Sequence, residues 1–219
     1  NVAAKYSASR GNTDGAFSSA DCVLREIFAI QRHTAMPMEM RGLLAKWDAQ
    51  IDHLTVWGAA KVPFFNRNVL ANLLGIPKAG IDLIELDVGG GFGVRGEFYP
   101  EDFLIPFAAR LVGRPVKWQE DRREHMMATN HSRETYCDVE IACRKNGEIL
   151  GIRGSVTADI GAYMGTTGGI LASRTAQFLA GPYRVRNVSF EVSAVVTNKT
   201  PAGSYRGPGR FESTFFRER

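Results

Sequence analysis

The chain has 219 residues, 44% of them hydrophobic and 23% charged, with 23 glycines and 9 prolines. This length suits one large domain or two small ones and buries a core without disulfide or metal staples, and the composition excludes disordered, collagen-like and low-complexity classes. The net charge of +4 is spread along the chain with no Lys/Arg block of the nucleic-acid-binding kind, and no apolar run reaches the ~20 residues of a membrane span.

In chain order, residues 1–20 (beginning NVAAKYSASRGNTDG) hold no hydrophobic signal segment and read as a linker from a preceding domain. Asp21 to His33 alternates apolar and polar residues, as a half-buried strand does, and Gly42–Trp47 and Leu54–Trp57 suit further strands. Asn66 is placed to cap a helix through Asn68–Leu74, with Gly75 as its stop. Ile81–Leu86 reads as a buried strand running into a glycine loop, Gly89–Gly96. Pro100 then opens a helix with Glu101 and Asp102 in its first turn, ended by Gly113. A short strand at Val116–Trp118 follows, then a hairpin of Thr135–Ala142 with Glu148–Thr157 turning at Lys145-Asn146-Gly147. Ile170–Leu179 reads as a helix and Val185–Thr197 as a long strand. The loop Pro201–Gly209 leads into a last helix with Phe211 and Phe215 on one face. Strands and helices intermix with both hairpins and crossovers, so the class is mixed α/β (α+β).

Cys22, Cys137 and Cys143 are an odd number without CxxC spacing, which argues against a disulfide framework or zinc site and for buried free thiols in a reducing compartment. The histidines, His33, His53, His125 and His131, show no metal-binding spacing. Arginine outnumbers lysine 20 to 7, which suits planar recognition of phosphate or carboxylate. Glu120, Asp121 and Glu124 interleave with Arg122 and Arg123 and read as a solvated ion-pair cluster; Glu39 reads as an ion-pair partner of the adjacent Arg41, and Met126 and Met127 as core filler.

The glycine loop has three readings. Gly91, Gly93 and Gly96 satisfy the spacing G-x-G-x-x-G of a dinucleotide fingerprint. That motif needs a helix starting inside the glycine turn, however, and Pro100 fits a helix that starts four residues later. A structural turn and a loop lining some other cofactor remain, since glycine lets backbone N–H groups approach a ligand closely.

The companions of this loop are PMEMRG at 37–42, NRNVLANLLGIP at 66–77, DVGGGFG at 87–93, RPVKWQEDRRE at 114–124, DIGAY at 159–163, GPYRVRN at 181–187 and SYRGPGR at 204–210. In this order they resemble the molybdenum hydroxylases: the large, molybdopterin-binding subunits of xanthine dehydrogenase, aldehyde oxidase and carbon monoxide dehydrogenase type. The resemblance implies that residues 1–219 are the first molybdopterin-binding domain of such a subunit, its N-terminal portion and incomplete. It implies molybdopterin cytosine dinucleotide with molybdenum as cofactor, and hydroxylation of an aldehyde, N-heterocycle or aromatic small molecule with oxygen from water. Electrons would pass to [2Fe-2S] and FAD centres on an iron–sulfur small subunit and an FAD-binding medium subunit, in a cytoplasmic dimer of heterotrimers.

By the family pattern Gly90, Gly91, Phe92 and Gly93 contact the cofactor, Arg206 stands next to the metal with Gly207 beside it, and Arg174 matches a substrate-contacting arginine. No protein ligand to the metal is expected in this stretch. Lys61 stands where many members carry a glutamine that hydrogen-bonds a molybdenum oxygen, and either replaces that bond or points elsewhere. Gly207 stands where carbon monoxide dehydrogenases carry a copper-binding cysteine, so without that thiolate carbon monoxide oxidation is not expected. Gly96 replaces a purine-binding glutamate. The family's catalytic glutamate falls beyond residue 219, so the chain reads as a segment of a longer polypeptide that is inactive alone. The rival readings are a non-catalytic interaction domain of the same fold and a dinucleotide-binding oxidoreductase.

Overall fold

The computed structural model describes residues 1–58 and 62–219. The strands of four or more residues are β1 (Val2–Arg10), β2 (Cys22–Ile30), β3 (Gly42–Asp48), β4 (His53–Gly58), β5 (Ile81–Ile84), β6 (Val116–Gln119), β7 (Thr135–Cys143), β8 (Ile149–Gly161) and β9 (Asn187–Val196). The helices are α1 (Thr13–Ser18), α2 (Pro63–Leu74), α3 (Pro100–Val112), α4 (Arg122–Ala128), α5 (Ile170–Phe178) and α6 (Arg210–Glu218). The chain divides into two compact units: Asn1–His33 with Asn130–Arg219, and Thr34–Thr129.

The first unit is a five-stranded sheet in the order β1-β9-β8-β7-β2. β7 and β8 form the expected hairpin, with Gly147 at φ +86 in its turn. β8 and β9 run parallel, so their connection must cross over, and α5 is that crossover. α5 and α6 bring Leu171, Ala172 and Phe216 onto a core with Val156, Ile160, Phe190 and Val192. Phe215 meets Phe28 edge to face at 5.9 Å, whereas Phe211 is 45% exposed, so the two expected face-mates of α6 separate. Residues 1–20 are not a linker: β1 pairs along β9, and Asn12 caps α1 by accepting the Gly15 N–H at 3.0 Å. Its sequence carries little strand signal because β1 is an edge strand of mostly small and polar residues with a mostly exposed surface.

The second unit is a four-stranded sheet in the order β5-β4-β3-β6. α2 and α3 pack with it through Ala45, Leu54, Leu70, Leu74, Ile81 and Ala109. Both helices end on glycines in the left-handed region, Gly75 at φ +65 and Gly113 at φ +63, as expected. α2, however, begins at Pro63, whose ring pre-sets a first-turn φ, and Asn66 lies inside it, buried. Arg110 closes the end of α2 by donating to the Leu74 carbonyl at 2.9 Å while lying 4.7 Å over the Trp47 ring.

α4 was not expected. Asp121 and Glu124 are its capping box, each side chain accepting the other's N–H at 2.8 Å. Glu120 is not solvated but 3% exposed, held by the Arg41 Nε at 2.9 Å and facing His125 Nδ1 at 2.6 Å. Burial alone would raise the Glu120 carboxyl, but these bonds and the Arg41 N–H outweigh it and hold it below the usual range. Met126 and Met127 are 46% and 60% exposed rather than core.

Asp102 completes the α3 cap by accepting the Tyr99 N–H at 2.7 Å, and burial pushes its carboxyl up to about 6. A carboxyl raised on folding contributes stability below its unfolded value of ~4 and loses it as pH rises through its folded value. Asp102→Asn, which keeps an acceptor for Tyr99, is therefore expected to stabilise the protein by ~1–2 kcal/mol at pH 7.5 and to change nothing near pH 4. Urea midpoints at the two pH values check this.

Candidate functional site

Two loops carry the expected site residues, one in each unit. In the second unit, the segment after β5 doubles back on the stretch around Glu39. The Gly89 N–H donates to Glu39 Oε2 at 2.8 Å, and the Glu39 N–H donates to the Gly89 carbonyl at 3.2 Å. Arg95, with its side chain 5% exposed, reaches across to the same carboxylate at 2.8 Å and donates through Nε to the Gly90 carbonyl at 2.7 Å. Glu39 thus pairs with Arg95 rather than with its neighbour Arg41. The Gly91 carbonyl accepts from the Val94 N–H at 3.1 Å, and the Gly93 carbonyl from the Gly96 N–H at 2.9 Å.

The carbonyls of Gly90, Gly91 and Gly93 are therefore tied inward, while the N–H groups of residues 90–93 find no acceptor among the described residues. Gly90 and Gly93 sit at φ +101 and +114, and Phe92, 46% exposed, is held at φ +50. A non-glycine residue there costs ~1–2 kcal/mol, so the turn is imposed by its surroundings. Gly91 differs from its neighbours. A Cβ added to Gly89 would lie 2.4 Å from the Glu39 Cβ, but one added to Gly91 meets nothing nearer than the Arg95 Cδ at 3.5 Å, an ordinary contact. Neither space nor backbone angle within the described residues requires glycine at 91. A row of unpaired N–H donors in which only Phe92 carries a side chain is suited to an acceptor-rich group approaching from outside the chain.

In the first unit, the loop 203–209 is built around Arg133, which sequence reasoning missed. Arg133 is 3% exposed and lies at φ +77. Its guanidinium donates to the Tyr205 carbonyl at 3.2 Å, the Arg206 carbonyl and the Gly207 carbonyl at 3.4 Å, and to Glu212 Oε1 at 3.0 Å. The rings of Tyr205 and Phe211 flank it at 4.7 and 4.5 Å. Glu212 is fully buried at the start of α6, and burial pushes its carboxyl up against the pull of Arg133. With the loop carbonyls turned in, the Arg206 side chain is exposed and meets no acceptor among the described residues. Gly207 is at φ +72 with open space where a Cβ would stand.

Arg174 lies on α5, exposed, bonded to Gln177 Oε1 at 2.6 Å. Its backbone supports the loop: a Cβ on Gly209, at φ +73, would sit 2.3 Å from the Arg174 Cβ. Lys61 lies outside the described residues. The glycine loop ends in a 3₁₀ turn at Val94–Gly96, and α3 starts only at Pro100, so no helix N-terminus lies within the glycine turn as a dinucleotide fingerprint requires.

The molybdopterin cofactor-binding domain family matches residues 1–219 throughout. The chain belongs to this family. It is 40% identical over its whole length to the 6-hydroxypseudooxynicotine dehydrogenase complex subunit gamma of Paenarthrobacter nicotinovorans, of which it covers 28%. It is 35% identical, again over its whole length, to the nicotine 6-hydroxylase large subunit of the same organism, covering 27% of it. Among solved structures, 95% of the chain superposes on 27% of quinoline 2-oxidoreductase from Pseudomonas putida 86, with a TM-score of 0.90 and 34% identity. All of it superposes on 28% of a Cu,Mo-CO dehydrogenase chain, with a TM-score of 0.94 and 31% identity. The chain thus spans little more than a quarter of these relatives. Its mixed α/β architecture is the one expected from sequence. No helix among the described residues is long and apolar enough to cross a membrane.

The residues present fit the family's cofactor: the donor row at 90–93, glycine at every position but Phe92, suits its oxygen and sulfur acceptors, and Arg206 is an available cation.

Proposed function

We propose that this domain is the cofactor-cradling part of a molybdenum hydroxylase large subunit. When bound, the cofactor supplies a two-electron oxidation with water as the source of oxygen. Gly90, Gly91, Phe92 and Gly93 hold it through their N–H groups, in the molybdopterin cytosine dinucleotide form. Arg206, fixed by the carbonyl anchors of Arg133, places a permanent cation where negative charge develops on the substrate oxygen. Gly207 keeps its flank open, Arg174 would meet the substrate, and Lys61 would supply a hydrogen-bond donor to the cofactor.

Electrons would pass to [2Fe-2S] and FAD centres on small and medium subunits, assembled as a cytoplasmic dimer of heterotrimers. Support for a multi-subunit enzyme comes from relatives named as a gamma subunit and a large subunit. Of the substrate classes, N-heteroaromatic rings are favoured, because nicotine and quinoline appear in the names of two similar proteins.

The observation that carries the reading is Gly91: a glycine that the chain itself does not need, in the middle of an unpaired donor row. The test is molybdenum and pterin analysis of the full-length protein from a host that makes the cofactor. Both should be present in near-stoichiometric amounts, and absence of both would favour a non-catalytic domain. Arg206→Ala is expected to keep the fold and lower kcat by about 100-fold or more, the scale of losing one preorganised charge-stabilising group. Full activity and full loading in Arg206→Ala and Gly93→Ala would remove these residues from the site.

A further inference from the structure

Cys22 and Cys143 stand directly opposite one another in the antiparallel pairing of β2 with β7. Directly opposed residues of an antiparallel pair project from the same face, with Cβ atoms ~4.5–5.5 Å apart, close to the ~3.5–4.5 Å that a disulfide spans. Cys22 is the first residue of β2, which is an outer edge of the five-stranded sheet, so only one strand end has to shift to close the difference. The approach is pinned from both sides. The Asp21 N–H donates to the Cys143 carbonyl at 3.0 Å, and Asp21 Oδ2 accepts from the Lys145 N–H at 3.0 Å. Cys22 is exposed and Cys143 half-buried, against the expectation that all three thiols are buried; only Cys137 is. The Cys143 thiol is pushed up by burial and then by the neighbouring Cys22 sulfur, which places the two sulfurs within electrostatic reach.

We propose that Cys22 and Cys143 are a cross-strand disulfide site, closed by a hydroperoxide and opened by a thiol reductant. Cys22, the exposed partner, attacks the peroxide O–O bond as thiolate and becomes a sulfenic acid, releasing hydroxide or alkoxide. Cys143, deprotonated, then attacks the Cys22 sulfur, forming the S–S bond and releasing hydroxide. The sum is two thiols and one hydroperoxide giving one disulfide, one water and one water or alcohol. The two cysteines lose two electrons and the peroxide oxygen gains them. Closure staples the exposed edge strand, with Val23, Leu24 and Ile27 on its surface, to the sheet interior. Cys137, fully buried, with burial pushing its thiol up to about 12, takes no part.

The test is native full-length protein treated with hydrogen peroxide, alkylated, digested and mapped by mass spectrometry, with and without dithiothreitol. The expected result is one linked peptide pair containing Cys22 and Cys143, lighter than the sum by two hydrogens and lost on reduction, with Cys137 still a thiol. Cys22→Ser should abolish the link, and Cys143→Ser should leave Cys22 to progress to sulfinic acid. Persistence of both thiols, over-oxidation of Cys22 in the wild-type protein without a link, or a link from Cys22 to any other cysteine would overturn the proposal.

Discussion

Gly91→Ala in the full-length protein is expected to reduce bound molybdenum and pterin about tenfold or more while leaving the thermal midpoint within a degree or two of wild type. The domain offers the new methyl ordinary van der Waals room, its nearest neighbour being the Arg95 Cδ at 3.5 Å. Gly91 is not among the glycines at positive φ, so alanine brings no backbone strain. The methyl does project beside the unpaired N–H groups of residues 90–93, where the cofactor is proposed to lie. Overpacking of a filled contact costs ~1–3 kcal/mol, and at 1.4 kcal/mol per decade the middle of that range and above is a loss of about tenfold or more in affinity. Gly89→Ala should show the opposite pattern. Its Cβ would stand 2.4 Å from the Glu39 Cβ, so the double hydrogen bond between the two residues must open and the fold itself weakens. Metal analysis and melting curves of both variants check the pair. A Gly91→Ala protein that loads fully would remove the donor row from the cofactor site.

The second large effect is on stability. Arg133→Met leaves Glu212 buried without its cation and three loop carbonyls without their donor. Breaking a buried pair from one side costs ~3–5 kcal/mol, since the remaining charge is uncompensated. The double variant Arg133→Met with Glu212→Gln removes that charge and is expected to recover more than half of the loss. It does not restore the anchors of Tyr205, Arg206 and Gly207, so cofactor loading should stay low while the fold returns. Urea unfolding and molybdenum content of single and double variants separate the two effects. Equal stability of Arg133→Met and wild type would show that the buried pair contributes nothing.

Local order in this domain follows from short-range chemistry. The Asn-Gly hairpin turn, the proline that opens α3 and the glycines that close α2 and α3 depend only on backbone preferences of a few consecutive residues, so they were legible. The glycine loop was legible as a turn of special backbone geometry for the same reason, and the seven motifs in order carried the family. What escaped was either short and polar or non-local. β1 carries little apolar signal because it is an edge strand, and α4 is only seven residues long. Glu120 read as solvated because its sequence neighbours are charged, yet its partner Arg41 lies 79 residues away. Glu39 read as the partner of Arg41 because the two are near in sequence, yet it pairs with Arg95 at a separation of 56.

By itself the sequence determined the mixed α/β class, the molybdopterin cofactor-binding domain family and the motif-bearing loops. The tertiary structure alone decided what holds those loops in shape. Arg95, buried but paired with the exposed Glu39, and the fully buried pair of Arg133 with Glu212 turn loop carbonyls inward and leave N–H groups or the Arg206 side chain facing out. A charge is buried at tolerable cost only where the chain returns an opposite one from far along its length. Such a return is set by topology, and no window of consecutive residues contains it.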